Sequence, residues 1–265
     1  MDAVLITGAT SGIGLELAKL FAKDGNNLVI VARNPTELAT TVDVLKQQHQ
    51  NIEILAISRD LFDPENAFAI YDELKQKEVT VNVLVNDAGQ GLYGEFADTD
   101  LRKQLKIIQL NISSLVALTH LFLNDMLQRG TGKILNLSSI AGKLPGPWQS
   151  VYHGTKAFVQ SFTEAVRSEV KDKGIVVTAL LPGATNTDFF NKAGMQDSKI
   201  VQNKEQLSDP ADVAKDGYQA LMRGDDMIVS GFKNKMQVDI AAVTPDEMLA
   251  DNLNKRQEPV DRKDK

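Results

Sequence analysis

The feature that most constrains the fold is a series of short aliphatic runs with no polar residues alternating inside them. They lie at 3–7, 28–32, 52–57, 81–86, 133–137, 175–181 and 227–229, and longer segments of helical periodicity separate them. A strand with one wet face alternates apolar and polar residues, so runs of Val, Ile and Leu lacking that alternation are covered on both faces. Strand–helix alternation at this spacing implies βαβ units. The expected fold is α/β, a single-domain doubly wound parallel sheet of Rossmann type with helices on both faces. In such sheets the ligand crevice lies beyond the carboxyl ends of the strands, near the point where strand order reverses. The run ends carry Thr7-Gly8, Arg33, Asp60, Asn86-Asp87-Ala88-Gly89, Ser138-Ser139 and Pro182-Gly183.

The first of these ends is the most informative. Gly8, Thr10, Ser11, Gly12, Ile13 and Gly14 follow a strand and open a helix in which Leu15, Ala18 and Phe21 recur at near-helical spacing. Glycines there let the backbone approach a diphosphate, and the helix N-terminus offers free N–H donors and a positive dipole end. A dinucleotide fits this pattern. A nucleoside-triphosphate loop does not, because no Lys-Ser/Thr pair follows the last glycine. At the end of the second run stands Arg33, where an NAD-preferring enzyme places a carboxylate on the ribose 2′-hydroxyl. A guanidinium complements a 2′-phosphate instead, so NADP(H) is expected in preference to NAD(H).

A second constellation points to proton transfer. Tyr152 and Lys156 stand four apart at the start of a helix running to about 171, hence on one face, and a lysine beside a phenol is expected to lower its pKa. Ser139, at the end of the fifth run, can donate to a carbonyl oxygen beside the tyrosine. In the long helical segment Leu101, Leu105, Ile108, Leu115, Phe122 and Met126 mark an apolar stripe, on which Asn111 is the polar exception. A buried amide must be hydrogen-bonded. Asn111 is either a structural tie or a polar link holding water near the lysine, and periodicity does not separate the two. His49, His120 and His153 have no metal-ligand spacing, and no metal is expected.

Taken together, TGxxxGIG, the NNAG-like residues Asn86 to Gly89, Asn111, Ser139, Tyr152-x-x-x-Lys156 and Pro182-Gly183-x-x-x-Thr187 resemble the short-chain dehydrogenase/reductase family over residues 3–230. The resemblance implies that Tyr152 gives or takes the proton, while Lys156 holds the nicotinamide ribose and lowers the tyrosine pKa. It implies that Ser139 orients the carbonyl and Asn111 places the water of a proton relay. Pro182, Gly183 and Thr187 would flank the nicotinamide, Asp60 and Leu61 would meet the adenine, and Asn86, Ala88 and Gly89 would line the cofactor. Two positions depart from the family pattern. Asp87 replaces a second asparagine, which puts local loop hydrogen bonding in question, and Ser11 stands where many NADP-dependent members carry a basic residue. Cofactor preference therefore rests on Arg33.

Composition excludes other classes. The 265 residues hold 29 Lys+Arg against 35 Asp+Glu, a net −6 with the signs interspersed, so no nucleic-acid partner is expected. With 43% hydrophobic and 24% charged residues the chain can bury a sizeable core. Cysteine is absent, which removes disulfides, thiolate zinc sites and cysteine nucleophiles and suits a reducing cytosol. The N-terminus lacks a basic n-region and no run is expected to approach a membrane span of about 18 apolar residues, so a soluble, cytoplasmic protein without membrane contact is expected.

The sequence thus divides into a dinucleotide-binding catalytic domain at 1–250, including a mobile apolar lid at 184–207, and a polar tail at 251–265 that frays or docks on a partner subunit. Phe189, Phe190, Met195, Ile200 and Val201 give the lid its apolar character. The expected substrate is a small-molecule carbonyl or alcohol, reduced or oxidised with NADP(H). Reduction of a 3-oxoacyl group on a carrier protein is the nearest alternative, and nucleotide sensing without turnover a more distant one. Ile107, Leu110, Leu118 and Leu121 lie off the long helix's stripe, and Phe158 and Phe162 lie off the Tyr152–Lys156 face. That extra apolar surface, like the family resemblance, implies a homodimer or homotetramer.

Overall fold

The computed structural model describes residues 1–202 and 207–260. The strands are β1 (Asp2–Thr7), β2 (Asn27–Ala32), β3 (Ile54–Ser58), β4 (Thr80–Asn86), β5 (Gly132–Leu137), β6 (Ile175–Leu181) and β7 (Met227–Val229). They form one parallel sheet in the order β3-β2-β1-β4-β5-β6-β7, so the chain reverses direction across the sheet between β1 and β4. The helices are α1 (Gly12–Lys23), α2 (Pro35–Gln48), α3 (Glu65–Gln76), α4 (Leu101–Ile108), α5 (Leu115–Arg129) and α6 (Ser150–Val170). Beyond these come α7 (Phe189–Ala193), α8 (Lys199–Gln202), α9 (Pro210–Arg223), α10 (Phe232–Ala241) and α11 (Asp246–Gln257).

Each sheet face carries its own core, as the uninterrupted aliphatic strands require. Leu17 and Phe21 of α1, Leu38 and Leu45 of α2, and Val213 and Leu221 of α9 pack with Val4, Ile6, Leu28 and Ile30 on one face. Ile70 and Leu74 of α3, and Leu118, Phe122 and Met126 of α5, cover Leu5, Val29 and Leu84 on the other. Asn34 caps α2 by accepting the Thr36 and Glu37 N–H groups, with Pro35 at the first helical position. Asp209 and Pro210 open α9 in the same way.

Three expectations are corrected. The long helical segment does not present the stripe that begins at Leu101 and Leu105: these two are exposed, while Gln104 and Ile107 are buried. The reason is a π-helical turn at Gln109–Ser114, which inserts an extra residue and rotates α4 relative to α5. Ile107 and Leu110, expected off the core face, are therefore in it, and Leu118 is in it too, one turn from Leu115 and Phe122 on the same face of α5. The same run, Leu101–Arg129, is long and apolar enough by length and composition to cross a membrane, contrary to expectation. Its apolar residues Leu118, Phe122 and Met126 are spent on the core between sheet and helices.

The third correction concerns the tail. Residues 251–257 continue α11, which crosses the expected boundary and docks on its own chain. Leu253 buries against Leu144 and Ala241, the Trp148 indole N–H donates to Asn254 Oδ1 at 2.8 Å, and the Tyr93 hydroxyl donates to the Gln257 carbonyl. Residues 258–260 continue the attachment, with Ser198 bridging Pro259 and Lys199 Nζ 2.5 Å from Glu258 Oε1. Residues 261–265 of the expected tail, and 203–206 of the expected lid, lie outside the described residues.

Candidate active site

One cavity of about 840 Å³ opens beyond the carboxyl ends of the strands at the reversal point. That is where a doubly wound sheet leaves room for a ligand. Of the expected cofactor residues, the glycine loop from Gly8 to Ile13, Arg33, Leu61, Ala88, Gly89, Pro182, Gly183 and Thr187 line it, together with Ser139, Tyr152 and Lys156.

The glycine loop is shaped by backbone demands. Gly8 and Gly12 have φ of +71° and +57°, a region in which a side chain is strained, and a Cβ on Gly12 would meet Thr187 Cγ2 at 3.0 Å. Ser11 is the N-cap of α1, yet its side chain makes no capping bond and the first turn holds no acid. Apart from the Gly14 N–H, bonded to the Asp87 carboxyl, the donors at this helix start have no side-chain cap from Ser11, and beside a cavity they suit an anionic diphosphate, so the residues present fit a dinucleotide. Arg33, exposed at the rim, lies 5.0 Å over the Phe62 ring. Thr10 Oγ1 donates to Glu37 Oε2 at 3.2 Å, which holds a carboxylate in the same wall as Arg33.

Four expected residues stand behind the wall. Asn86 is buried and bonds Thr119 Oγ1 at 3.0 Å and Asn136 Oδ1 at 2.9 Å, joining β4 to β5 and α5. Asp60 is exposed and turns inward to accept the Phe62 N–H at 3.1 Å, so it shapes the loop that presents Leu61 and Phe62. Gly14 gives its N–H to the Asp87 carboxyl. Asn111 sits on the π-helical turn with its amide occupied: Oδ1 accepts the Gln90 N–H, and Nδ2 donates to the Gln90 carbonyl and to Thr155 Oγ1, each at 3.0 Å. Of the two readings of Asn111, these bonds display the structural tie, between the loop after β4 and α6.

Ser139, Tyr152 and Lys156 converge because β5 ends in a 3-10 turn, Ile140–Lys143, lying against the start of α6. Gly142 makes this crossing possible, since a Cβ there would meet the Lys156 carbonyl carbon and oxygen at 2.7 Å. Ser139 Oγ donates to the Pro182 carbonyl at 3.2 Å and accepts the Ala141 N–H at 3.1 Å. Lys156 Nζ donates to the Leu137 carbonyl at 2.7 Å and lies 5.8 Å from the Tyr152 ring centroid.

The charges differ from expectation. Burial pushes the Tyr152 phenol up to about 12, opposed by its hydrogen bond with Ser139. Burial pulls Lys156 down to about 8, opposed by the Asp87 carboxylate, and burial likewise pushes Asp87 up to about 7, opposed by Lys156 and the Gly14 N–H. Lys156 is thus coupled to Asp87, and burial is the largest cause of the tyrosine's shift. The phenol is held protonated, the state needed to deliver a proton to a carbonyl oxygen.

Sequence reasoning set aside His153, which is buried in the cavity wall. Its Nδ1–H donates to the Leu144 carbonyl at 2.8 Å, leaving Nε2 to accept from Gln257 Nε2 at 3.4 Å. Burial lowers its pKa against the pull of the Leu144 and Ala141 carbonyls, which fits a neutral ring. Gln149, Lys233, Asn234 and Arg256 also line the cavity. The first could have been sought one turn before His153; the others depend on how α10 and α11 fold back. Phe189 packs on Tyr152 with centroids 5.0 Å apart, so part of the expected apolar lid touches the proposed proton donor.

A doubly wound sheet with a diphosphate-ready glycine loop and a Ser-Tyr-Lys cluster in one cavity defines a nicotinamide-dependent oxidoreductase. Comparison with known proteins agrees: residues 2–198 match the short chain dehydrogenase family model. The chain belongs to the short-chain dehydrogenase/reductase family and is an oxidoreductase enzyme that uses a nicotinamide cofactor. It is 33% identical over 249 residues to dehydrogenase/reductase SDR family member 7B of Mus musculus, covering 91% of this chain and 77% of that protein. It is 37% identical over 190 residues to sulfoacetaldehyde reductase 2 of Chromohalobacter salexigens, covering 71% and 74%. Among solved structures, a short-chain dehydrogenase from Sphingobium yanoikuyae in complex with NADPH superposes with a TM-score of 0.81 at 27% identity, covering 100% of this chain and 99% of that one.

Proposed function

We propose that this enzyme is an NADP(H)-dependent carbonyl reductase or alcohol dehydrogenase acting on a small-molecule substrate. The observation that carries the reading is the convergence of Ser139, Tyr152 and Lys156 in the cavity that the glycine loop enters. When bound, the dihydronicotinamide supplies a hydride to the carbonyl carbon. Ser139 orients the carbonyl oxygen, Tyr152 delivers its phenolic proton to that oxygen, and the buried Lys156 ammonium holds the nicotinamide ribose. A panel of aldehydes, ketones and acyl thioesters assayed with NADPH and NADH tests the reading. Turnover confined to 3-oxoacyl thioesters would favour the carrier-linked reductase, and no turnover with any member would favour nucleotide sensing. A reducing, cytosolic setting belongs to the same proposal, supported by the absence of cysteine.

Preference for NADP(H) is part of the proposal and rests on Arg33, whose guanidinium lines the cavity with no carboxylate in ion-pair contact among the described residues. Arg33→Ala is expected to weaken NADPH binding by about tenfold, the scale of one charge-assisted contact, and to leave NADH binding almost unchanged. Titration of both cofactors into the two proteins measures this. Equal affinities for NADPH and NADH in the unaltered enzyme would refute the assignment.

Assembly is proposed from the outward faces of α4 and α6. Leu101, Leu105 and Phe158 are exposed, and Phe158 stacks on Phe162 with centroids 5.8 Å apart at 11°. Self-association would cover these residues and repeat the patch on both subunits. Phe162→Asp would then place a charge on both sides of one interface, and sedimentation velocity should show the variant as a monomer where the unaltered protein is a dimer or tetramer. A monomeric unaltered protein at micromolar concentration would rule the assembly out.

A further inference from the structure

Charged residues line both ends of the cavity. At the glycine-loop end the carboxylates Glu37, bonded to Thr10, and Asp87, bonded to Gly14, stand with the cations Arg33 and Arg59, the latter paired with Glu73. At the other end, beyond Tyr152, the lining cations are Lys192, Lys233 and Arg256, and the lining acid is Asp188. Asp188 is already used, since its carboxylate is 3.2 Å from Lys192 Nζ and accepts from Asn191 at 3.0 Å. Lys233 and Arg256 remain, and neither is in an ion pair with a described residue. They come from separate elements, α10 and α11, that follow the last strand.

Both are exposed, and their backbone positions are set by anchored neighbours. The Asn234 side chain, next to Lys233, packs against Gly183 at the cavity wall and donates to the Ser230 carbonyl at 2.7 Å. Arg256 sits between residues that tie α11 to α6 and the segment before it: Asn254, which accepts from Trp148, and Gln257, which bonds His153. Two cations lining one cavity from separate helices, without counter-ions among the described residues, make a potential that favours an anion beside a carbonyl presented to Tyr152.

We propose that Lys233 and Arg256 select substrates carrying an oxyanionic group, such as a carboxylate, sulfonate or phosphate, on the side remote from the reacting carbonyl. The inference rests on the reductase reading and deepens it by naming the substrate class. An arginine can grip such a group with two parallel N–H bonds while the lysine adds a point charge. The oxyanion can belong to a compact carbonyl compound or to the phosphates of a coenzyme-A type carrier, and the two sources are separable.

The full-length enzyme with NADPH is assayed on 4-carboxybenzaldehyde against methyl 4-formylbenzoate, and on acetoacetyl-coenzyme A against acetoacetyl-N-acetylcysteamine. The anionic member of at least one pair is expected to have a kcat/KM about tenfold higher, as for one or two partly exposed ion pairs. That ratio should fall toward one in Lys233→Met/Arg256→Met and shrink as salt is raised. Discrimination in the first pair identifies a compact anion, and in the second pair alone the carrier phosphates; either supports the proposal. Ratios near one in both pairs, or ratios unmoved in the double variant, overturn it. If no carbonyl compound is turned over, the reductase reading fails separately and binding decides the proposal. Trp148, the single tryptophan, is bonded to α11 and reports binding by fluorescence. Tighter binding of 4-carboxybenzyl alcohol than of its methyl ester to the NADP+-loaded protein, lost in the double variant, supports it; equal binding overturns it.

Discussion

Tyr152→Phe is expected to lower kcat for carbonyl reduction by about 10²–10⁴-fold, the usual contribution of a positioned general acid, while NADPH still binds. The substitution removes one oxygen and keeps the ring, so packing against Phe189 at 5.0 Å persists. The Lys156 contact with the Leu137 carbonyl does not involve the phenol and should persist as well. What is lost is the proton donor and its hydrogen bond with Ser139. Stopped-flow turnover alongside fluorescence titration of NADPH separates chemistry from binding. A variant that reduces its substrate at near-normal rate would show that another group supplies the proton, with His153 in the same wall the first to examine.

The parts legible in the sequence are those set by local pattern. Each of the seven aliphatic runs forms a strand, the central ones because burial on both faces leaves no polar alternation, although the edge strands β3 and β7 are only partly buried, and the glycine loop declares itself by residues that only its backbone geometry requires. Boundaries moved where side chains intervened. The third run begins at Ile52, but β3 starts at Ile54, since Lys46 Nζ takes the Ile52 carbonyl at 2.5 Å. The stripe from Leu101 failed because a π-helical turn breaks the 3.6-residue period, and periodicity assumes that none occurs. The polar tail expected at 251–265 begins within α11, which buries only Leu253 and Gln257 and is held by the polar bonds of Asn254, Gln257 and Glu258. Such bonds depend on partners over 50 residues away, which no local pattern shows. The same is true of the tyrosine: spacing places Lys156 on its face, whereas the pKa follows depth of burial and the hydrogen bond with Ser139.

Gly14→Ala is expected to weaken NADPH binding roughly ten- to hundredfold, because one methyl group has no room where the loop meets α1. A Cβ at this position would stand 2.7 Å from the Gly8 carbonyl oxygen and would overlap the Asp87 carboxylate. The Asp87 side chain could turn away, but then the Gly14 N–H would lose its partner and a raised carboxyl would be left in the diphosphate end of the cavity. The Gly8 carbonyl cannot turn away, because the Gly8 N–H is bonded to Val31 at 2.9 Å and its φ of +71° is already that of a tight turn. The clash must therefore move the first turn of α1, of which Gly12 and Ile13 line the cavity. Overpacking of this kind typically costs about 1–3 kcal/mol, and here it falls on the diphosphate contacts more than on the core, since Gly14 lies at the helix start. Thermal melting with and without NADPH distinguishes the two consequences. A local effect should leave the ligand-free melting temperature nearly unchanged and reduce the upward shift that the cofactor produces. An unchanged shift, with unchanged affinity, would mean that the backbone around Gly14 does not shape the diphosphate site.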